Sequence, residues 1–125
     1  MASKRSEQQS IDKEYEYYSL ILFDFASRNL DDKHNRVIDF IKSRVKSNSI
    51  VIISGYTDSI GQYEVNKKIA VERAKAAAKR LKFDNIEIRG VGKDDLLYDN
   101  TFPEGRFYCR TVTISIETPI NAPSQ

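Results

Sequence analysis

An α/β (α+β) fold, a small mixed sheet packed against helices, is predicted by three features of this 125-residue sequence. Short apolar runs alternate with stretches of helical periodicity, which argues for parallel strand pairs joined by crossover helices. The segment from Tyr63 to Lys82 is alanine-rich, favours helix and allows close packing on a sheet. The last apolar segment alternates cleanly and follows a loop rather than a helix, so it is expected to pair antiparallel. The predicted order is strand, helix, strand, helix, strand, loop, strand.

Residues 1–14 read as a polar, flexible leader, residues 15–118 as one folded domain and residues 119–125 as a flexible tail. Residues 11–18 (IDKEYEYY) are mixed and aromatic, suited to extend a strand or wrap an edge. Residues 19–25 (SLILFDF) are compact and apolar, the pattern of a buried central strand. Asp31 and Asp32 offer an N-cap and a favourable charge for a helix start. Val37, Ile38, Ile41 and Val45 recur at helical spacing, and the turn residues 47–49 predict where that helix stops. Residues 50–54 predict a second strand buried on both faces. Residues 85–91 alternate Ile86 and Ile88 with Glu87 and Arg89, a half-buried strand. Residues 92–108 form a long loop, a length uncommon without a role of its own. Residues 110–117 alternate Val112, Ile114 and Ile116 with polar residues, the last strand.

Composition excludes several functions. Lys and Arg number 20 against 18 Asp and Glu, a net charge of +2. That balance gives no global attraction to nucleic acid or anionic membrane. Cys109 is the only cysteine and His34 the only histidine. An internal disulfide and a thiolate metal site are excluded, the single histidine argues against a His-based triad, and neither cofactor nor metal nor catalytic residue is expected. No apolar run approaches a membrane span, and the N-terminus lacks the apolar core of a signal peptide. The sequence therefore reads either as cytoplasmic or as an excised part of a longer exported chain, touching a membrane only through an upstream segment.

Two residues stand out chemically. Asn66, Arg73 and Arg80 are seven apart and form one column on the second helix, drifting about 20° per step. Arg73 projects from the shoulder of the apolar stripe, partly desolvated and in need of an anion. That anion is either a carboxylate of its own chain or one of a ligand held bidentately. Asp58 lies in the turn that feeds the helix. It either accepts backbone N–H groups of that turn or is placed to receive a ligand ammonium. Direct pairing of Asp58 with Arg73 is a further alternative.

Gly55-Tyr56-Thr57-Asp58, Gly61, Asn66, Ile69, Arg73-Ala74 and Leu81 resemble the signature of the OmpA-like peptidoglycan-binding domain. That signature is G-[HYF]-T-D-x-x-G, an Asn eight residues after the Asp, and L-S-x-x-R-A. Leu22-Phe23-Asp24-Phe25, Asn29-Leu30, Gly90-Val91-Gly92 and residues 99–106 (DNTFPEGR) match further family segments in order. The resemblance covers about residues 18–117. It implies non-covalent, non-enzymatic binding of peptidoglycan through the diaminopimelate of its stem peptide, by a periplasmic domain that anchors an outer-membrane or envelope protein to the cell wall. On that resemblance Asp58 takes the ligand's ammonium and Arg73 its carboxylate, while Thr57, Asn66, Asn29 and Arg110 line the same pocket. The chain departs from the family pattern at Cys109, Thr111 and Ala70, which replace Asn, Arg and Ser. An alternative is a structural or protein-docking domain that keeps the fold without the ligand. A third and weaker reading is a nucleic-acid surface of Lys67, Lys68, Lys75, Lys79 and Lys82 with Tyr15, Tyr17 and Tyr18, because lysine-rich helix faces are ordinarily just solvated; an enzyme is weaker still, since no nucleophile-base or paired-carboxylate arrangement is readable.

Overall fold

The computed structural model describes residues 12–21, 23, 27–93 and 109–120. Its elements are strand β1 (Asp12–Leu20), helix α1 (Asp32–Lys42), strand β2 (Ile50–Tyr56), helix α2 (Tyr63–Leu81), strand β3 (Ile86–Gly92) and strand β4 (Val112–Ile120). The strands form one sheet in the order β1-β4-β2-β3. β2 and β3 are parallel and joined by α2, whereas β4 runs antiparallel to both β1 and β2. This is the mixed α/β sheet that the alternation predicts. α2 and β3 fall within one residue of their predicted ends. Beyond Lys93, the predicted long loop lies outside the described residues, as do Leu22, Asp24, Phe25 and residues 99–106.

The core forms between the helices and one sheet face. Val51 and Ile53 of β2 and Val112, Ile114 and Ile116 of β4 meet Ile38 and Ile41 of α1 and Ala74, Ala77 and Leu81 of α2. Side chains alternate across a strand, so the residues between these point to the other face. Among the described residues no second layer covers that face: Tyr15, Tyr17 and Ile50 are exposed. Burial of β2 on both faces, predicted from its run of isoleucines, is corrected at Ile50, which is exposed, and at Ile52, which is half-buried, whereas Ser54 on the same face is buried.

β1 corrects a second expectation. Of the apolar run 19–25 expected as a central strand, Ser19 and Leu20 end an edge strand, and Leu22, Asp24 and Phe25 lie outside the described residues. The strand is Asp12–Leu20, and it lies at the sheet edge with β4 as its neighbour. An edge strand with an open face meets water on two sides, so it tolerates the charged pattern that made residues 12–14 look like leader. Their main chain pairs with Ile120, Pro119 and Thr118, which carries β4 into the segment read as tail. Glu16 on β1 takes both Nε–H and Nη2–H of Arg44, tying the strand to the turn after α1.

α1 starts where predicted and stops early. Asp31 caps it: its Oδ1 accepts the His34 N–H at 3.1 Å, and His34 Nδ1 accepts the Asp31 N–H at 3.2 Å. The helix ends at Lys42 rather than near residues 47–49 because the Ser43 hydroxyl bonds back to the Phe40 carbonyl.

His34 is buried, and its Nε2 lies 2.7 Å from the Ile21 carbonyl oxygen. A carbonyl only accepts, so Nε2 carries the proton, Nδ1 accepts, and the imidazole is neutral. Burial pushes its pKa below the ordinary value of about 6.5, against the pull of the Ile21 carbonyl and Asp31. The unfolded chain then binds a proton that the folded chain refuses. Stability is therefore expected to fall as pH drops below about 6.5. Thermal unfolding between pH 7 and 5 should show this slope, and His34→Gln should reduce it.

Two glycines set the approach of α2 to the sheet. A Cβ at Gly55 would lie 2.0 Å from the Ala70 carbonyl oxygen, so helix and strand touch main chain to main chain there. Gly61 has φ +102°, a conformation that lets the turn after β2 swing into α2.

Candidate functional site

The turn between β2 and α2 is held from both sides by main-chain bonds. Tyr56 N–H donates to the Thr111 carbonyl just before β4, and Thr57 N–H donates to the Gly92 carbonyl at the end of β3, both at 2.9 Å. Inside the turn, Asp58 Oδ1 accepts the Ile60 N–H at 3.0 Å, and the Asn66 side-chain amide donates to the Ile60 carbonyl at 3.0 Å. Lys93 Nζ reaches the Gly61 carbonyl at 2.8 Å. A turn fixed at this many points presents its side chains in one arrangement.

Between this turn and the first half of α2 lies a cleft of about 120 Å³, lined by Thr57, Asp58, Ile60, Gly61, Val65, Asn66, Ile69, Arg73 and Arg110. A water needs only about 10–15 Å³ of such space, so the cleft has room for a small polar group such as the charged end of an amino acid. Thr57, Asp58, Asn66 and Arg73 are all at most 5 % exposed. Ile60, Val65 and Ile69 supply an apolar wall, which strengthens charge interactions by excluding water.

Arg73 is 1 % exposed, deeper than the shoulder position read from the helix. Its Nε–H donates to the Ser27 carbonyl at 2.7 Å and its Nη1–H to the Tyr56 carbonyl at 3.2 Å. Burial first, and then repulsion from Arg110, push its pKa down to about 10, opposed by the attraction of Asp58. The guanidinium is still charged at neutral pH.

Asp58 is paired, but its cation is Arg110: Arg110 Nε donates to Asp58 Oδ2 at 3.1 Å. Among the described residues, two cations and one anion line the cleft. Its formal charge of +1 favours a ligand whose carboxylate can face Arg73. Thr57 Oγ1 is buried with no hydrogen-bond partner among the described residues. Buried hydroxyls are normally satisfied, and this one lines the cleft.

Five of the six residues singled out from sequence thus share one cleft. Asn29 does not. It is exposed beside a second, basic cleft between the helices, with Arg28, Leu30, Lys42, Lys79 and Arg80. The reason is that the segment gives Arg73 the carbonyl of Ser27, which leaves Asn29 two residues further out. The column of Asn66, Arg73 and Arg80 also divides: Arg80 pairs with Asp39 of α1. The apolar wall and the carbonyls of Ser27 and Tyr56 were missed. Ile69 stood in the motif, whereas a carbonyl carries no residue identity. The lysines of α2 and the exposed Tyr15 and Tyr17 lie on opposite sides of the sheet, and Tyr18, on the helix side, packs against the core and Phe40. Cys109 is fully buried in a turn before β4.

Comparison with known proteins agrees with this architecture. The model of the OmpA family matches residues 22–110. Outer membrane protein A of Serratia marcescens is 28% identical over 98 residues, covering 71% of this chain and 27% of its own length. That of Klebsiella aerogenes is 29% identical over 99 residues, covering 71% and 28%. The chain thus spans little more than a quarter of these curated relatives. Among solved structures, the peptidoglycan-associated lipoprotein from Burkholderia pseudomallei superposes with a TM-score of 0.72 at 22% identity, covering 78% of this chain and 88% of that one. The cell wall anchor of the T6SS from Pseudomonas aeruginosa gives 0.69 at 22% identity, covering 89% and 90%. The C-terminal domain of Helicobacter pylori MotB gives 0.68 at 19% identity, covering 82% and 84%. At these identities the superpositions speak for the fold alone. The family model, which matches over two thirds of the sequence, places this chain in the OmpA family.

Proposed function

We propose that this domain binds peptidoglycan without chemistry of its own, by gripping the zwitterionic end of the stem-peptide diaminopimelate. In doing so it anchors an envelope protein to the cell wall in the periplasm. One observation carries the reading: a buried carboxylate and a buried guanidinium, Asp58 and Arg73, line one small cleft. The ligand's ammonium meets Asp58, which it shares with Arg110. Its carboxylate meets Arg73. Thr57 and Asn66 give the hydroxyl and amide contacts that fix its orientation. The names of two superposed structures, a peptidoglycan-associated lipoprotein and a cell wall anchor, support the same ligand class.

A second reading has its own support. Asp58 is already satisfied by Arg110 and the Ile60 N–H, as in a domain that keeps the clamp only as internal bracing. Co-sedimentation with purified sacculi separates the two. The binding reading expects the wild type to pellet and Asp58→Ala to remain in the supernatant. The bracing reading expects neither to pellet, and that outcome refutes ours.

A further inference from the structure

The Phe23 ring carries two groups at once. The His34 imidazole is stacked on it, with centroids 4.1 Å apart and planes 17° from parallel. The Arg73 guanidinium carbon lies 5.0 Å from the same centroid. All three side chains are at most 2 % exposed. His34 is itself pinned at both ring nitrogens, by the Asp31 N–H and the Ile21 carbonyl. Phe23 is pinned by its N–H, which donates to the Arg110 carbonyl at 3.0 Å. Fixed contacts therefore run from the start of α1, through an aromatic ring, to the guanidinium that lines the cleft.

An aromatic face attracts a guanidinium through its quadrupole, which an aliphatic side chain of equal burial does not. A neutral imidazole leaves that attraction to Arg73. An imidazolium would compete for the same ring and place a second cation near Arg73. We propose that Phe23 and His34 are positioning residues for Arg73, and that its grip on the ligand carboxylate requires His34 to be neutral. The second half of this rests on the cleft being the ligand site; the first half does not. Four groups act on His34: Asp31 and Lys33 on its own element, the Ile21 carbonyl from the chain after β1, and Arg73 from α2. Asp31 and Ile21 favour the protonated ring, whereas Lys33, Arg73 and burial oppose it.

The test has two readouts. The first is the Arg73 Nε–H signal in nitrogen-edited NMR of the ligand-free protein, a proton now held by the Ser27 carbonyl. Phe23→Leu keeps the burial and removes the ring, and should shift and broaden that signal while core amides such as Ile53 and Ile114 keep theirs. In the wild type the signal should titrate as pH falls from 7 to 4. In His34→Gln, which keeps an amide able to accept and donate, that titration should disappear. The second readout is retention on purified sacculi. Phe23→Leu should weaken it about tenfold at pH 7, and wild-type retention should fall over the same pH range where His34→Gln stays flat. An unperturbed Arg73 signal in Phe23→Leu, or a His34→Gln titration like that of the wild type, overturns the proposal. If the wild type is not retained on sacculi at any pH, the ligand reading fails, and the Nε–H signal still decides the positioning role.

Discussion

Arg73→Met is expected to abolish retention of this domain on purified peptidoglycan. Truncating one partner of a desolvated charge contact costs about 2–5 kcal/mol, roughly 30-fold to several thousand-fold in affinity. Methionine keeps much of the apolar stem and removes the charge. Stability should move much less. The carbonyls of Ser27 and Tyr56 lose their donors, at about 1–3 kcal/mol each. Against that, a guanidinium 1 % exposed no longer has to be kept from water. The net change is expected to be within about 2 kcal/mol. Circular dichroism melting should find a folded protein, and co-sedimentation should find it in the supernatant.

The second large effect concerns folding. Gly55→Ala adds one methyl, and that methyl meets the Ala70 carbonyl oxygen at 2.0 Å, its carbon at 2.7 Å and its Cα at 3.1 Å. All three are main-chain atoms of α2, so no side chain can turn aside to make room. The helix must lift from the sheet, opening the contacts of Ala74 and Ala77 beside it. A loss of about 3 kcal/mol or more is expected, at the upper end of overpacking effects. Urea denaturation should show it as a lower midpoint with an unchanged slope. Because Gly55 immediately precedes Tyr56 and Thr57, the same shift should reach the cleft.

How much of this was legible in the sequence depends on the range of each interaction. α2 was legible because alanine-rich propensity, apolar spacing and its length all agree locally. β3 and β4 were legible through alternation, and the capping role of Asp31 through its position before the helix. The end of α1 was not, because one hydroxyl, Ser43, outcompetes the continuing apolar spacing of Val45. β1 was misplaced because an edge strand needs a partner more than an apolar pattern, and its partner is about a hundred residues away. The site shows the same division. Asp58, Thr57, Asn66 and Arg73 belong to one continuous turn and helix, and the sequence kept them together. The Arg110–Asp58 bond joins residues 52 apart, and spacing carried no sign of it. Asn29 matched a motif but lies outside the cleft, two residues after the Ser27 carbonyl that holds Arg73.

The central claim is that one cleft holds both charges of a single ligand. Titrating the domain with free diaminopimelate, followed by nitrogen-edited NMR, tests this most directly, with cadaverine as the comparison because it keeps both ammoniums and has no carboxylate. The expected result is saturable shifts concentrated at Thr57, Asn66 and the Arg73 Nε–H, absent with cadaverine and absent in Asp58→Ala. Shifts that cadaverine reproduces in full, or no shifts in the cleft at any concentration, would contradict it.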